Sequence, residues 1–411
     1  MNGKDSFDPW GLWLSQAEGI GTRTALRLFG AFRRLSGEEG EKSVYELAQA
    51  MEKSGFARQL YEMGEKDLRD LSRAALGERG AMKVPEILKK AKRISPQEAA
   101  EDLSRRGMAF VSLEDPAYPA RLRAIPDMPL GLYYKGRLPD PSAPAAAVIG
   151  SRRADRYGLE QAERFAAALS RQGVIVISGM ALGVDGAAGR AALKAGGASF
   201  AVLGSGADVC YPPANRDLYD LLSRRGGILS EYVPGTQARP GLFPPRNRII
   251  SGLSDLVLVI EARAGSGTLI TTDYALAQGR EVFALPGRVT DPLSEGCNRL
   301  LSQGASIALD PKDLTERFFG IREGDPPRKK KKEEGGSQRK ARGIHEIQQM
   351  VFSVLSEERP MCEAEILLRC GSGIWGLEEN LGSALMLLVL QDLAEEREGG
   401  YIKRPGAGEP F

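Results

Sequence analysis

The sequence contains one histidine and four cysteines in 411 residues, and each scarcity removes a class of chemistry. Cys210, Cys297, Cys362 and Cys370 show no C-x-x-C spacing, so a structural zinc site is not expected. Any mechanism built on a histidine base, a Ser-His-Asp triad included, would have to use His345. Long apolar runs are missing as well. None reaches about 18 residues, so no membrane span is expected. The N-terminal MNGKDSFDPWGLWLS lacks a basic-then-apolar signal pattern, and the chain reads as cytoplasmic and reduced. An excess of one charge is absent too: 56 Lys and Arg stand against 54 Asp and Glu, a formal charge of +2. That balance excludes a protein coated in positive charge, but not a local basic site. Glycine is plentiful instead, 49 residues, against the roughly 7% of ordinary proteins. Something in this chain uses many tight turns or close backbone approaches.

At about 150 residues per domain the length predicts two to four domains. Residues 1–80 read as a helical domain, with apolar positions at 3–4 spacing and a Gly19-Ile20-Gly21-Thr22 turn. That turn fits a helix-hairpin-helix, whose amides can face a phosphate, or a plain αα-corner whose glycines permit close approach. Residues 81–144 are a proline-rich connector packed on the core, anchored by Tyr118, Leu122, Leu132 and Tyr133, with short strands at 109–113 and 131–135. From Ala145 to about residue 320, short Val/Ile/Leu-rich runs alternate with helical segments. Apolar runs without alternation are strands buried on both faces, so the expected fold is α/β: an extended Rossmann-like, doubly wound, mostly parallel sheet. Residues 321–343 form a basic linker with a four-lysine run. In residues 344–411, HEIQQMVFSVLSEE and LGSALMLLVLQDLAEE read as helices and GGYIKR as a strand, a winged-helix-like arrangement.

In a doubly wound sheet, ligands bind outside the carboxyl ends of the strands. Small residues cluster there: Gly150-Ser151-Arg152 after the first core strand, Ser178-Gly179 after the second, Gly204-Ser205-Gly206 after the third, and Gly265-Ser266-Gly267-Thr268 after a later one. Four such loops on one edge predict a phosphate-binding cup of convergent amides, the alternative being glycines that serve only tight turns. The first turn, G-S-R-R-A-D, is no dinucleotide fingerprint, and G-x-x-x-x-G-K-[ST] does not occur. No cofactor is expected. Acid–base chemistry would fall to Asp185, Asp208, Glu231 or Glu261, each equally explained as a cap or strand-end acid. In Phe243-Pro-Pro-Arg246-Asn247-Arg248 an aromatic stacking face precedes two guanidinium forks. The alternatives are a buried staple for Phe243 and salt bridging for the arginines, and adjacent helical positions let only one arginine face the cup. Of 17 basic residues from Ala145 to Asp310, 16 are arginine, which favours bidentate phosphate contacts or buried ion pairs.

In order along the chain, VIGSRRADRYG, VIVISGMALGVDGAAGRAAL, AVLGSGADVCYPPANRDLY, FPPRNRIISGLSD and VIEARAGSGTLITTDYALAQGREVFALPG closely resemble the DNA-processing protein A family (DprA, also called Smf). The resemblance implies a non-enzymatic single-stranded DNA binder that protects incoming strands in natural transformation and loads RecA. It also implies a homodimer formed through the C-terminal part of the Rossmann-like domain. It gives Arg152 the principal DNA contact, and adds Phe243, Arg246, Asn247 and, from the family's Y-P-x-x-N string, Asn215. One departure is Gly189, where the family often has histidine. The N-terminal region resembles the family's SAM-like extension, and the C-terminal one, more loosely, its winged helix. An enzymatic alternative is a nucleotide phosphoribohydrolase of the lysine-decarboxylase-like (LOG) type. Its P-G-G-x-G-T-x-x-E string is met here only by Ala264-Gly265-Ser266-Gly267-Thr268, with Thr271 where the acid belongs. A third reading is an adaptor whose ends matter most. The linker 321–343 carries 9 basic and 4 acidic residues and the tail 5 and 12, so the tail fits protein contact better than DNA reading.

Overall fold

Every residue of Ala145–Ile149 is buried, and so is every residue of Ile175–Ser178, Ser199–Val202, Gly227–Ser230 and Leu256–Val259. Strands this apolar need cover on both faces. The computed structural model, which describes residues 8–38, 43–321, 350–356, 359–370 and parts of 381–404, supplies that cover. The chain divides into two units, Met1–Lys329 and Lys330–Phe411.

Six helices open the first unit: α1 (Pro9–Ser15), α2 (Thr22–Leu35), α3 (Val44–Ala50), α4 (Phe56–Glu62), α5 (Glu65–Ala91, kinked at Gly77) and α6 (Pro96–Arg105). The boundary read at residue 80 lies inside α5, and the stretch that follows stays helical to Arg105 rather than running extended. Ser95 and Glu98 form a capping box with Pro96 at the first helical position, a start signal that outweighs the proline-rich look of the region.

The sheet then builds from β1 (Ala109–Ser112), β2 (Gly131–Gly136), β3 (Ala145–Ile149), β4 (Ile175–Ser178), β5 (Ser199–Val202), β6 (Gly227–Ser230), β7 (Leu256–Val259), β8 (Glu281–Ala284) and β9 (Ser306–Ile307). Its order is β1-β2-β6-β5-β4-β3-β7-β8-β9. All neighbours are parallel except β1–β2 and β2–β6, so the connector adds two antiparallel strands to one edge. Between the strands run α7 (Ala120–Arg123), α8 (Arg156–Arg171), α9 (Val184–Lys194), α10 (Arg216–Arg225), α11 (Phe243–Gly252), α12 (Gly267–Ala277) and α13 (Glu295–Ser302).

Side-chain alternation divides the core. Ala146, Val148, Val176, Leu256 and Leu258 face one layer with Ala162, Phe165, Ala166 and Leu169 of α8 and Val184, Ala188 and Ala192 of α9. Ala145, Ala147, Ile149, Ile177, Val257 and Val259 face the other, with Ile249 and Ile250 of α11. That second layer is continuous with Trp13, Leu26, Phe29 and Phe56 of the N-terminal helices. The N-terminal region and the sheet therefore share one core. Strand order reverses at β3, which pairs in parallel with β4 on one side and β7 on the other. The crevice beyond β3 and β7 is the topological switch point.

In the second unit a helix at Glu363–Cys370 and an antiparallel hairpin, Ala394–Arg397 with Gly400–Lys403, surround a core that includes Val351, Phe352, Met361, Ile366, Leu385 and Leu388. The helix read over 381–396 ends early, because Ala394–Arg397 pairs as a strand. His345 and the expected linker from 322 onward lie outside the described residues.

Candidate nucleic-acid interface

The crevice at the switch point is a groove of about 730 Å³, lined by Gly150–Arg153, Tyr211, Phe243, Asn247, Arg263 and Ser266–Thr268, among others. A smaller cavity of about 80 Å³ adjoins it between Gly179, Leu182, Leu203, Gly204, Tyr211 and Phe243. Arg152 and Arg246 border both.

Arg152 leaves β3 on an exposed turn that Ser151 shapes by accepting the Arg153 amide at 3.1 Å. Its guanidinium lies 5.1 Å above the Phe243 ring, a cation–π contact. Pro244 and Pro245 open α11 in its first turn, where missing amides cost nothing, and Phe243 begins that helix. A β-carbon on Gly204 would meet Phe243 Cδ1 at 2.7 Å, so only glycine lets the ring lie against the end of β5. Among the described residues, Arg152, Arg153 and Arg263 make no ion pair with a carboxylate. They are the open positive charges of the groove.

Arg246 is spent internally. It is 5% exposed and its Nη1 donates to the carbonyls of Gly179, at 3.1 Å, and Val202. Burial lowers its pKa to about 10, opposed by Asp185 and aided by Arg152, so it stays charged at neutral pH. Burial also raises the pKa of Asp185, against the pull of Arg246 and the Gly179 amide, which donates at 3.0 Å. Arg246 is therefore the floor of the site, tying α11 to the ends of β4 and β5. Asn247 stands at the rim: its side chain accepts from Arg246 Nε at 3.3 Å and donates to the Gly267 carbonyl at 3.4 Å.

Four expected site residues stand elsewhere. Arg248 is buried and forks onto Glu231 at 2.7 and 2.8 Å, with Asp127 at 3.3 Å, because the helical turn points it away from Arg246. Asn215 is buried and donates to the carbonyls of Met180 and Ala181, both at 3.0 Å, while accepting from Arg190. The Ser178 hydroxyl donates to Val148 at 2.8 Å, inside the sheet. Gly206 gives its amide to Thr236 at 2.8 Å.

The cup of convergent glycine amides is also revised. β-Carbons on Gly150, Gly179 and Gly204 would meet protein at 2.6–2.7 Å, and the Gly179 amide already has Asp185. These glycines serve close packing of loops. The loop that stays open is Ser266-Gly267-Thr268 at the start of α12. Nothing lies within 4 Å of a Gly267 β-carbon, Ser266 makes no side-chain cap bond, and the first helical amides have no partner within the helix. Tyr211 and Arg263 join the groove although neither is among the residues the sequence motifs single out as DNA contacts. Both sit in irregular loops, where only the third dimension brings them to Arg152.

A profile of the family described as DNA recombination-mediator protein A matches residues 109–319. The DNA processing protein DprA of Streptococcus pneumoniae is 43% identical over 207 residues, which are 50% of this chain and 73% of the relative. The putative DNA processing protein DprA of Mycobacterium tuberculosis is 35% identical over 330 residues, 76% of this chain and 82% of the relative. The X-ray structure of the S. pneumoniae protein aligns with a TM-score of 0.58 at 30% identity, covering 75% of this chain and 97% of that one. A structure of DNA processing protein A from Helicobacter pylori, described for its single-stranded DNA binding mode, aligns with a TM-score of 0.47 at 29% identity over 51% and 96%.

Proposed function

The chain belongs to the DNA recombination-mediator protein A family, and from that premise we propose that it binds single-stranded DNA in the groove at its switch point. The observation that carries this is the Arg152 guanidinium, free of any carboxylate and stacked on Phe243 at the groove mouth. Single strands need a positive groove for the backbone and π-faces for unstacked bases. Arg152, Arg153 and Arg263 supply the charge, the start of α12 at Gly267 and Thr268 offers amides and a hydroxyl, and Asn247 orients that start. Base pairs hide the π-faces a duplex would have to offer, so duplex DNA is the poorer ligand.

The wider role follows the family resemblance. Bound strands are protected and handed to a RecA-type recombinase, as a homodimer in the cytoplasm, with DNA bound rather than cleaved. The N-terminal helices act as a SAM-like accessory to the sheet, and the acidic C-terminal unit, a winged-helix-like fold, contacts protein. The phosphoribohydrolase alternative draws no support from the groove: the position required for its acid is Thr271, and the carboxylate that borders the groove among the described residues is Asp185, buried against Arg246 and the Gly179 amide.

Fluorescence anisotropy with labelled oligo-dT and a matched duplex tests the reading. Oligo-dT should bind more tightly. Arg152→Ala should weaken it and flatten the salt dependence by about 0.7 in log–log slope, one phosphate contact. Equal affinity for both DNAs, or an Arg152→Ala protein that binds like the parent, would contradict the proposal.

A further inference from the structure

Phe243 is the aromatic that sequence reasoning offers to a base, but its ring is half-buried and carries the Arg152 guanidinium at 5.1 Å. The exposed aromatic in the groove is Tyr211, 43% accessible and bordering both the groove and the small cavity. Its ring lies 5.6 Å from that of Phe243 at an interplanar angle of 33°, so the two faces form one bent platform. No hydrogen bond holds its hydroxyl among the described residues, whereas Tyr118, Tyr219 and Tyr232 each donate to a carbonyl. Tyr45 and Tyr157 are as exposed, but of these three tyrosines it is Tyr211 that borders the groove and lies against Phe243.

The backbone beneath it is fixed. The Asn215 amide donates to the Pro212 carbonyl at 3.0 Å, and the Asn215 side chain is pinned to the β4 loop. Arg190 then holds Asn215 at 3.0 Å and Asp217 at 2.7 Å. Asn215, which the family resemblance offered as a DNA contact, thus supports the segment that carries Tyr211.

We propose that Tyr211 stacks on a nucleobase of the bound strand, while Phe243 serves mainly to hold Arg152 toward the adjoining phosphate. The proposal rests on the single-stranded DNA reading above. It assigns the sequence-tolerant π-contact to a residue in the β5–α10 connection rather than to α11.

The test compares oligo-dT with an equally long strand of abasic sites, using the full chain, Tyr211→Ala, Tyr211→Phe and Arg152→Ala. Tyr211→Ala should lose roughly 5- to 150-fold in affinity for oligo-dT, the range set by one base–aromatic stack. On the abasic strand it should match the parent, which also shows it folded. Tyr211→Phe should bind oligo-dT like the parent, and Arg152→Ala should weaken on both strands. Equal losses on both strands for Tyr211→Ala, or no loss on either, would overturn the stacking role alone. A parent protein that fails to bind oligo-dT would overturn the DNA reading with it.

Discussion

Arg246 and Arg248 lie two residues apart on α11 and illustrate how one helical turn separates two roles. Arg246 reaches under the groove to backbone carbonyls of Gly179 and Val202, and Arg248 forks onto Glu231 on the other side. Arg246→Ala would leave those carbonyls unpaired and Asp185 buried without its neutralising neighbour. It is expected to cost about 3–5 kcal/mol in denaturant unfolding, whereas Arg152→Ala should leave stability nearly unchanged and act on binding. A second residue-scale prediction concerns Glu261, which is 2% exposed and lies over Gly158 with Oε2 unpaired. Burial, and then Asp155 beside it, push its pKa from 4.5 to about 8. A carboxyl raised in the folded state contributes stability that is complete below its unfolded pKa and is lost as pH rises through the folded one. Thermal melts should therefore show the parent losing more stability than Glu261→Gln between pH 6 and 9. Identical pH profiles would contradict the assignment. Glu114 adds to the same decline: burial raises it to about 7, partly offset by the Ala57 amide it accepts at 2.7 Å.

At the scale of elements, the joints between strands and helices decide the shape of the groove. Gly183 precedes α9 with φ +73°, and a β-carbon there would stand 2.2 Å from the Ser151 carbonyl. Gly183→Ala should therefore cost about 1–3 kcal/mol from backbone strain alone, and it should displace the turn that carries Arg152, lowering DNA affinity as well. Gly267, at the open start of α12, has no such neighbour. Gly267→Ala should leave urea unfolding unchanged or slightly improved. The β-strands from 145 to 284 were legible because fully buried strands leave short apolar runs. The pairing of β1 and β2 onto β6 was not, since antiparallel edge pairing depends on where a loop returns. The glycines were visible, but not whether each faced a ligand or a neighbouring loop. That distinction lies in contacts such as Gly204 with Phe243, far apart in the chain. Tyr211 opens the Y-P-x-x-N string that singled out Asn215, but nothing local shows that its ring is exposed beside Phe243, while Arg152 and Phe243 stand in motifs that make their roles readable.

For the whole molecule, the near-zero net charge is a sum of unlike regions. The groove displays three arginines without carboxylate partners among the described residues, whereas elsewhere in the sheet domain Arg121 pairs with Asp255 and Arg164 with Asp310. The N-terminal helices share the hydrophobic core of the sheet, so removing residues 1–105 should expose that core and yield insoluble protein. Removing 330–411 takes away a unit with its own core, and circular dichroism melts and oligo-dT binding of the remainder should match the full chain. On the proposed function, a single strand lies in the groove at the switch point with a phosphate on Arg152. The most direct measurement is a crystal structure of the full chain with a short oligo-dT. Expected are density along the groove, a phosphate oxygen within hydrogen-bond distance of the Arg152 guanidinium, and a base stacked on Tyr211. A strand bound elsewhere on the first unit, with the groove empty and Arg152 still resting on Phe243, would contradict it.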